Sequence, residues 1–510
     1  MKKYFIYIFI ALTATSCSDF LDLKPEFLVS ERAFYKTPED FETALIGNYA
    51  DLQSYNLPLI YLGDLTTDNA EIQWTSPTVS EVEADEVNFT PANSFLNTVW
   101  NTCFSTISGS NNILSRIDGL DFNEALKNQL KGESLFLRAY SYFNLVRIFG
   151  DLPIVEVAFR SPNEIQAFDM TRRPVSEVYG LIIRDLTEAA TLLEGAEGLS
   201  KSRASAGSAK TLLGKVYLTL KEYDQAATIL KQVIVSQKYS LVPDYKKLFT
   251  NGNEGLAESI FEIEYLSGNV GEGNGFSGIF TPARFDMAIF PGKMQGSGRI
   301  LPTPNMANAY EEGDARRAAS IGDSVLLVTG KYEDDLYGLK FVDFTTGIQG
   351  DGGINFTALR YADVLLMYAE ALNEGGGAEN PHIYLNMVRE RADLLPLSGL
   401  SKEDFALALE QERRVEFFLE GHRWFDLVRT ERTGEVINAY FQSEGLRFTV
   451  AGHEWIMPIP LREIDIDPDL KQIEAAYRAE HGYRHIPVVK DGELVGQGEL
   501  ERADGGGVGD

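Results

Sequence analysis

The sequence predicts a mostly α fold, a tetratricopeptide-like scaffold of helical hairpins that carries long irregular loops and a few short strands. Long helical periodicity runs through residues 38–149, 176–237 and 358–429. The stretch 267–356 is instead rich in Gly, Asn and Phe and has little helical pattern. Irregular segments of this length within compact proteins are usually functional or disordered, so this stretch is the first place to look for a binding site.

The N-terminal residues resemble an export signal. Lys2 and Lys3 precede the apolar run 4–12, and small residues lead from there to Cys17. The apolar run is too short to span a membrane as a helix. A run of small residues ending at a Cys is typical of a lipoprotein signal, which predicts removal of residues 1–16 and acylation of Cys17. The alternative is an ordinary secretory signal with an incidental Cys.

The composition excludes several classes of partner. The chain has 46 basic and 75 acidic side chains and a net charge of −29 at pH 7. This charge repels nucleic acid and anionic lipid, so we expect no nucleic-acid partner and a membrane attachment through acyl chains. The hydrophobic fraction of 44% is enough for a large core. Only Cys17 and Cys103 are present, so acylation of Cys17 leaves no intramolecular disulfide.

The helical regions contain a degenerate internal repeat. Between residues 208 and 234, six residues stand at the offsets that tetratricopeptide repeats use: Leu213, Gly214, Tyr217, Ala226, Leu230 and Val233. In such repeats small residues let paired helices approach, and larger residues fill the gap. Two residue pairs match the repeat pattern more weakly: Ala139 with Tyr142, and Ala369 with Leu372. Generic antiparallel bundling is the alternative, and it predicts the same fold class.

The stretch ESLFLRAYSYFNLVRIFGDLPIV, residues 133–155, predicts one helix of this scaffold. Its apolar residues form a broad face. We expect Glu133, Arg138 and Arg147 to reach neighbouring turns or loop carbonyls. Gly150 ends the helix. The stretch is therefore interpreted as architecture.

The densest group of charges lies in EQERRVEFFLEGHRWFDLVRT. A catalytic interpretation makes Glu420 and His422 an acid and base pair. The structural interpretation buries the apolar residues and pairs Arg413 with Glu416 and Glu420 with Arg423 at i,i+3 spacing. Structural ion-pair networks gather charges just as densely, so the sequence predicts no catalytic residue here.

Motifs for metals and nucleotides are missing. Asp465, Asp467 and Asp469 imitate the start of an EF-hand loop, but Leu470 replaces the required Gly and Ala476 replaces the bidentate Glu. The sequence contains neither a G-x-S-x-G nucleophile elbow nor a P-loop. It therefore predicts no metal site and no cofactor.

Segments along most of the chain resemble the SusD/RagB family of surface nutrient-binding lipoproteins from Bacteroidetes. The residues that carry the resemblance are ESLFLRAYSYFNLVRIFGDLPIV, LRYADVLLMYAEALNE, ERRVEFFLEGHRWFDLVRT and WIMPIPLREIDIDPDL. FLDLKPE, soon after the predicted lipid Cys, and YEEGDARR are similar to family segments as well. These matches run in family order from Cys17 to Leu470.

The resemblance implies a ligand-binding domain at 17–472, with the helical scaffold at about 38–260 and 357–430 and a loop-rich insertion at about 267–356. It implies a non-enzymatic protein that binds a glycan, or less often a peptide. It also implies a SusC-like TonB-dependent transporter as partner. Residues 473–510 depart from the family, whose sequences tend to stop after a segment like DPDLKQ, and their Gly-rich end is typical of a flexible terminus.

Sugar binding requires flat aromatic faces for the C–H side of a pyranose and planar polar groups for its hydroxyls. The segment GDLTTDNAEIQWTSPTVSE supplies Asp68, Asn69, Gln73 and Trp74. In starch-binding relatives, loops from this part of the chain help to form the site. Trp74 has the alternative of covering the scaffold as a half-buried residue. Secondary candidates, for which packing is the alternative, are Phe276, Tyr332 and Tyr337.

These expectations define a surface-exposed, lipid-anchored outer-membrane protein that captures oligo- or polysaccharide and delivers it to a TonB-dependent transporter. A peptide receptor of the same uptake type is the alternative among binding proteins. A secreted glycoside hydrolase is the alternative among enzymes. Paired carboxylates abound in so acidic a chain, but that mechanism needs two of them at a set distance across a cleft.

Overall fold

The computed structural model describes residues 34–73, 75–196, 198–292, 294–450, 456–467 and 470, together with a short hairpin near residue 490. The predicted signal segment, the predicted lipid attachment site Cys17, the candidate Trp74 and most of the C-terminal tail lie outside the described residues.

Helices dominate the described chain, which confirms the mostly α prediction. The helices of the N-terminal half are α1 (Pro38–Ile60), α2 (Val79–Asp85), α3 (Ser94–Ile117), α4 (Glu124–Phe149), α5 (Pro162–Ala167), α6 (Val175–Leu192), α7 (Ala206–Thr219) and α8 (Tyr223–Val235). Those of the C-terminal half are α9 (Phe276–Ile279), α10 (Pro304–Ala307), α11 (Ala315–Ser320), α12 (Tyr361–Gly375), α13 (His382–Arg391), α14 (Lys402–Glu416), α15 (Arg423–Arg429), α16 (Thr433–Ser443) and α17 (Leu461–Ile466).

The described strands are short and pair two by two. They are β1 (Ala70–Glu71), β2 (Ser259–Ile263), β3 (Leu301–Pro302), β4 (Ile321–Leu326), β5 (Tyr332–Gly338), β6 (Phe356–Arg360), β7 (Val489–Lys490) and β8 (Glu493–Leu494). The antiparallel pairs are β1 with β3, β2 with β6, β4 with β5, and β7 with β8. Two of these pairs join distant parts of the chain, so they tie the irregular region to the helical scaffold.

The long helices pack in an ordered series. Each of α3, α4, α6, α7 and α8 packs against its neighbour in the series, α1 covers α3, and α12 packs on α8. At the contact of α7 with α8, a Cβ on Gly214 would lie 2.5 Å from the side chain of Leu230. Only glycine therefore allows this approach, as the repeat pattern predicts. The tetratricopeptide-like interpretation of this hairpin agrees with the packing.

Helix α4 is buried far more completely than an amphipathic surface helix. From Gly132 to Phe149 every residue except Arg147 is buried. Its charges are satisfied inside the protein, because Glu133 binds Tyr49 and Arg203, and Arg138 binds Asp185. The sequence predicted one apolar face with charges directed to turns and loops. In the structure the helix is instead surrounded by other elements, and side-chain partners balance its charges.

Among the described residues, no helix combines the length and the apolar composition that crossing a membrane requires.

Candidate functional site

The candidate site begins where α1 ends. Helix α1 contains Pro58 and continues directly into a π-helical turn, Tyr61–Leu65. Such turns arise where the regular hydrogen-bond ladder is interrupted, and they are frequent at functional sites. Gly63 of this turn lies against the backbone of Gly421, where a Cβ would be 2.3 Å from the carbonyl oxygen. This close approach fixes where the following loop starts.

Asp64 fastens the π-helical turn to the α14–α15 connection. Its carboxylate is fully buried and accepts hydrogen bonds from the Gly421 amide at 2.7 Å and from Asn69 Nδ2 at 3.3 Å. Burial raises the pKa of Asp64 to about 6, although both hydrogen bonds act in the opposite direction. The first residues of the candidate sugar-binding loop are thus anchored from inside.

Asp68 and Asn69, two of the predicted ligand contacts, point into the protein. Asp68 is 4% exposed and Asn69 is 1% exposed. Arg423 binds the Asp68 carboxylate at 3.0 and 3.2 Å, and Arg414 donates to Asn69 Oδ1 at 2.9 Å. Burial raises the pKa of Asp68, but Arg423 and Arg414 outweigh burial and lower it. In this arrangement the two side chains hold the loop in place, and their polar atoms face protein partners.

Gln73, the third predicted contact, joins two loops. Its backbone N–H donates to the Gly298 carbonyl at 2.8 Å, and its side-chain Oε1 accepts from the backbone N–H of Ala283 at 2.7 Å. The preceding residue, Ile72, donates its amide to Asp85 at 3.2 Å. Gln73 therefore connects the loop after β1 to the segment that starts near residue 282.

The segment around residue 74 is held on both sides. Arg299 donates to the carbonyls of Thr75 at 3.5 Å and of Ser76 at 3.3 Å, while Gln73 is fixed as described. The same guanidinium lies 3.5 Å from Glu81 of α2. The position of Trp74 itself lies outside the described residues, so its assignment as a ligand contact stays a prediction.

The loop that Gln73 holds continues to the β4–β5 hairpin, where Met287 forms an isolated β-bridge with Leu327 just beyond β4. Ala288 donates its amide to Leu326 of β4 at 2.7 Å, and Val328 donates to the Asp286 carbonyl at 2.8 Å. Residues 286–288 thus lie beside the β4 side of the hairpin. Two strongly exposed aromatic residues belong to this region: Phe285, in the turn before the bridge, is 89% exposed, and Tyr332, the first residue of β5, is 72% exposed.

Phe285 and Tyr332 are linked through their neighbours Arg284 and Glu333, which form an ion pair, and we call Phe285 and Tyr332 the aromatic edge. Arg284, next to Phe285, binds Glu333, next to Tyr332, and it also contacts Asp286 at 3.1 Å. Because the β4–β5 hairpin holds Tyr332 and the Arg284 ion pairs and the Met287 bridge hold the turn of Phe285, the two rings are presented on an ordered support. Exposed aromatic faces of this kind suit the apolar C–H face of a sugar ring.

A second apolar patch lies further along the same loop. The rings of Phe290 and Phe344 stack with their centroids 5.7 Å apart, and Phe344 is 39% exposed. Ile348, on the same segment as Phe344, is 45% exposed. The patch gives the irregular region a second surface for an apolar ligand face.

The remaining two aromatic candidates are packed inside the protein. Phe276 is fully buried and stacks on Phe280 with the ring centroids 5.7 Å apart. Tyr337 is 8% exposed and belongs to a small apolar cluster with Leu301 and Val325. Of the three secondary candidates, only Tyr332 presents its ring to solvent. The surroundings of Phe276 and Tyr337 fit the alternative given above, in which these side chains pack within the protein.

Sequence reasoning missed Phe285, the most exposed large hydrophobic residue of the described chain. The segment ARFDM places this aromatic residue between Arg and Asp within a non-periodic stretch. Charged neighbours alone are not a sufficient signal, because Phe41 stands between Asp40 and Glu42 and is fully buried.

The charged cluster of α14 and α15 forms a buried network, but its predicted i,i+3 pairs are wrong. Glu416 binds Arg316 at 2.8 Å and Arg360 at 2.5 Å instead of Arg413. Glu420 likewise binds Lys340 and Arg360. Helix α14 ends at Glu416, and Leu419 and Gly421 adopt positive φ, so the chain turns before α15 begins. The broken helix directs these charges to distant partners.

Glu420 is buried and His422 is half-buried, and both pack within this structural core. Glu420 is 4% exposed and already engaged by two cations. His422 stacks on Phe417 with ring centroids 4.6 Å apart, and burial holds its pKa well below the usual range. A neutral histidine packed on a phenylalanine, beside a neutralised carboxylate, gives no support to the acid and base interpretation.

No group of three or more His, Cys, Asp or Glu side chains within the described residues is arranged to hold a metal ion. Asp465 lies in α17 and Asp467 is its C-terminal cap, so both belong to a helix end. Asp469, the third carboxylate of the EF-hand-like pattern, lies outside the described residues.

Two family models match the sequence. One, described as the SusD family, matches residues 328–477, and the other, described as "Starch-binding associating with outer membrane", matches residues 19–218. SusD-like protein P2 of Formosa agariphila is 30% identical over 507 residues, which cover 91% of this chain and 97% of that protein. A SusD-like protein of Bacteroides ovatus is 26% identical over 84% of this chain and 82% of its own length.

Solved structures share the fold. A laminarin binding SusD-like protein superimposes with a TM-score of 0.70 and 27% identity, over 84% of this chain and 98% of that one. Surface glycan-binding protein A from Bacteroides thetaiotaomicron, in complex with laminarihexaose, superimposes with a TM-score of 0.71 and 21% identity, over 85% of this chain and 98% of that one. At that lower identity the similarity shows the fold alone.

Fold and site together define a helical-repeat protein whose candidate binding surface is carried on loops. The relatives identify its family: this chain belongs to the SusD family, as the resemblance predicted.

Proposed function

We propose that this protein is a surface glycan-binding lipoprotein of the outer membrane, which captures an oligo- or polysaccharide and delivers it to a TonB-dependent transporter. The observation that carries the glycan assignment is the aromatic edge, where Phe285 and Tyr332 are exposed next to the two residues of the Arg284–Glu333 ion pair. Membership of the SusD family and the names of its relatives support the same class of ligand.

The proposed glycan site has two kinds of wall. Phe285 and Tyr332 supply ring faces for sugar C–H groups, and Phe344 lies on the second patch of the same region. Gln73 binds the Ala283 amide, two residues before Phe285, and Arg299 binds Thr75, so the described ends of this loop support it as a neighbour of the edge. Asp68 and Asn69 act as positioning residues, because they anchor this loop to Arg423 and Arg414.

The geometry favours reversible binding over hydrolysis. Glycoside hydrolysis needs two carboxyl groups free to act on opposite sides of a glycosidic bond. At the aromatic edge, Asp286 and Glu333 both bind Arg284, and Asp335 lies 3.6 Å from the same guanidinium. These carboxylates gather around one arginine on the same side of the edge and do not flank a bond from opposite sides, so the bound glycan is expected to leave unchanged.

Laminarin is the first ligand to test, because one similar structure at 27% identity is named for binding it. A lipid-free protein starting at Ser18, which includes every described residue, is titrated by calorimetry with laminarin, other neutral polysaccharides, acidic polysaccharides and a peptide mixture. The products are then separated by chromatography. We expect binding to a neutral glycan with no shorter products. Binding only to peptides supports the peptide receptor, and release of shorter sugars supports the hydrolase.

The membrane and transporter parts of the proposal rest on the predicted lipid signal, the family and the description of its N-terminal family model. They are tested in cells with an affinity tag at the C-terminus. We expect the tagged protein to reach the cell surface, to lose its membrane attachment in the Cys17→Ala variant, and to co-purify with an outer-membrane channel. Absence from the surface together with no co-purifying channel contradicts this part of the proposal.

A further inference from the structure

A cavity of about 380 Å³ lies between the α6–α7 connection, the segment that follows α8 and strand β2. Three of its lining residues are cations: Lys201, Arg203 and Lys238. None of the described lining residues is acidic, and Glu197, whose sequence neighbours line the cavity, lies outside the described residues. This lining is opposite in sign to the net charge of the chain, −29. It includes neither ring of the aromatic edge.

Arg203 is neutralised by protein and holds the α6–α7 connection in place. It binds the Glu133 carboxylate at 2.5 and 2.8 Å, and it also pairs with Glu42. The next residue, Ala204, donates its backbone N–H to the Tyr49 hydroxyl at 2.9 Å. These contacts shape the wall of the cavity without a ligand.

Tyr239 and three apolar side chains form the rest of the wall. The Tyr239 ring is buried, and a Cβ on Gly207 would lie 2.1 Å from its hydroxyl oxygen. Glycine at position 207 therefore lets the ring approach the first turn of α7. Leu193 and Ile260 are buried lining residues, and Leu199 is half-buried beside them. A ligand body that packs on this wall needs an apolar face.

Lys201 has no carboxylate partner. Its Nζ lies 4.4 Å from the centroid of the Tyr239 ring, and the side chain forms neither a hydrogen bond nor an ion pair in the described part of the chain. Although Lys201 is half-buried, its Nζ is not among the unpartnered atoms that are closed off from solvent, so a ligand in the cavity can reach it. Burial lowers the pKa of Lys201, and the charge of Lys238 acts in the same direction, whereas Glu262 opposes both.

Glu262 is engaged elsewhere. Its carboxylate accepts from the Gly255 N–H at 2.9 Å and from Asn355 Nδ2 at 3.1 Å, and it forms no ion pair with Lys201. Lys238 is exposed, and its ammonium has no ion-pair partner among the described residues. The two lysines therefore line one cavity as like charges. An anion bound between them replaces this repulsion with two attractions.

The type of cation favours one type of anion. A lysine ammonium is a point charge with rotatable donors, whereas the planar guanidinium of arginine matches a carboxylate in bidentate geometry. Two ammonium groups match the charge of a phosphate monoester at pH 7, which is about −1.5 to −2. The volume of about 380 Å³ falls within the range of small-molecule sites, about 300–1,000 Å³.

We propose that this cavity binds a phosphate monoester carried on a body about the size of a monosaccharide. The phosphate lies between Lys201 and Lys238, and the body packs on Leu193, Leu199 and Ile260. This site is separate from the glycan site proposed above and does not depend on it.

Calorimetry of the lipid-free protein from Ser18 onward tests the site, with D-glucose 6-phosphate as the probe at constant ionic strength. D-glucose lacks the anion, D-glucose 6-sulfate carries a smaller charge, and inorganic phosphate lacks the sugar. We expect glucose to bind at least about tenfold more weakly than the phosphate ester, and the other two at least about threefold more weakly.

Each comparison can overturn part of the proposal. No binding of glucose 6-phosphate, or equal affinity for glucose, overturns the anion site. Equal affinity for the sulfate ester overturns the choice of phosphate. Equal affinity for inorganic phosphate overturns the sugar-sized body.

Lysine substitutions provide the matched variants. Lys201→Met and Lys238→Met each remove one charge from the lining, and Lys247→Met removes the same charge from an exposed lysine outside the lining. We expect losses in glucose 6-phosphate affinity of at least about tenfold, about threefold and less than about twofold, respectively. Because Lys238 is exposed, its variant is expected to fold even if Lys201→Met does not. Unchanged affinity in Lys238→Met, or an equal loss in Lys247→Met, overturns the proposal.

Discussion

Glu416 shows how a single buried carboxylate organises the centre of the molecule. It is fully buried and binds Arg316, Arg360 and Arg391. Burial raises its pKa, but these three arginines outweigh burial and hold the pKa well below the usual range. The carboxylate therefore stays ionised, and it neutralises cations contributed by α11, β6 and α13.

The Glu416→Gln substitution tests this role. It keeps the shape of the side chain but leaves buried arginines without a negative partner, so we expect a loss of about 3–5 kcal/mol in the free energy of unfolding. Urea unfolding followed by circular dichroism measures it. The matched control is Glu435→Gln, which removes an exposed partner of Arg432 and should cost less than about 1 kcal/mol. Equal losses in the two variants contradict the account.

Asp85, beside the candidate glycan loop, is expected to make the stability of the protein depend on pH. Burial raises its pKa to about 7, with Glu71 and Glu86 acting in the same direction. In the unfolded chain the pKa of an Asp is about 3.9. Between these pH values the folded chain holds a proton that the unfolded chain has lost. Asp85 therefore makes the protein less stable as pH rises from about 4 to about 7.

The Asp85→Asn variant removes this charge and keeps an oxygen that can accept from the Ile72 amide. We expect it to be more stable than the wild type at pH 8 by more than about 1 kcal/mol, with a smaller difference at pH 5. Urea unfolding at the two pH values measures the difference. A difference that stays constant with pH would show that Asp85 ionises normally in the folded protein.

At the scale of elements, the contact between the π-helical turn and the α14–α15 connection places the candidate site. Gly63 and Gly421 meet backbone to backbone, and Asp64 seals the contact with a hydrogen bond from the Gly421 amide. The loop with Asp68 and Gln73 starts from this point. Any side chain at position 63 must push the two segments apart.

The Gly63→Ala substitution is expected to destabilise the protein by more than about 2 kcal/mol, because its Cβ has no space beside the Gly421 carbonyl. Thermal unfolding followed by circular dichroism measures the loss. The control is Gly47→Ala in α1, where nothing lies within 4 Å of the new Cβ. There we expect no loss or a gain of up to about 1 kcal/mol, because alanine favours the helix. Tolerance of Gly63→Ala refutes the proposed contact.

The elements differ in how well the sequence predicted them. The repeat pattern around Gly214 predicted the α7–α8 packing, because small and large residues at fixed spacing are a local signal. The partners of Glu416 were not predictable in this way. They lie on α11, β6 and α13, and the sequence pattern within α14 does not indicate which distant segments pack against it.

At the scale of the whole molecule, family resemblance and composition indicated the class of protein, but the site needed the fold. Asp68 and Asn69 have the chemistry of sugar contacts, yet the folded chain aims them at Arg423 and Arg414. Phe276 and Phe285 stand in similar irregular sequence, yet one is fully buried and the other 89% exposed. Residue type shows what a side chain can bind, and only packing decides whether a ligand can reach it.

We infer that the aromatic edge binds a glycan, and the affinity of edge variants for laminarin tests this inference. Laminarin is titrated by calorimetry into the wild type and into the double variant Phe285→Ala with Tyr332→Ala. Leu395→Ala, which alters another strongly exposed side chain, is the control. We expect the double variant to keep its stability and lose at least about tenfold in affinity, and the control to bind as the wild type does. Unchanged laminarin affinity in the double variant would contradict this inference.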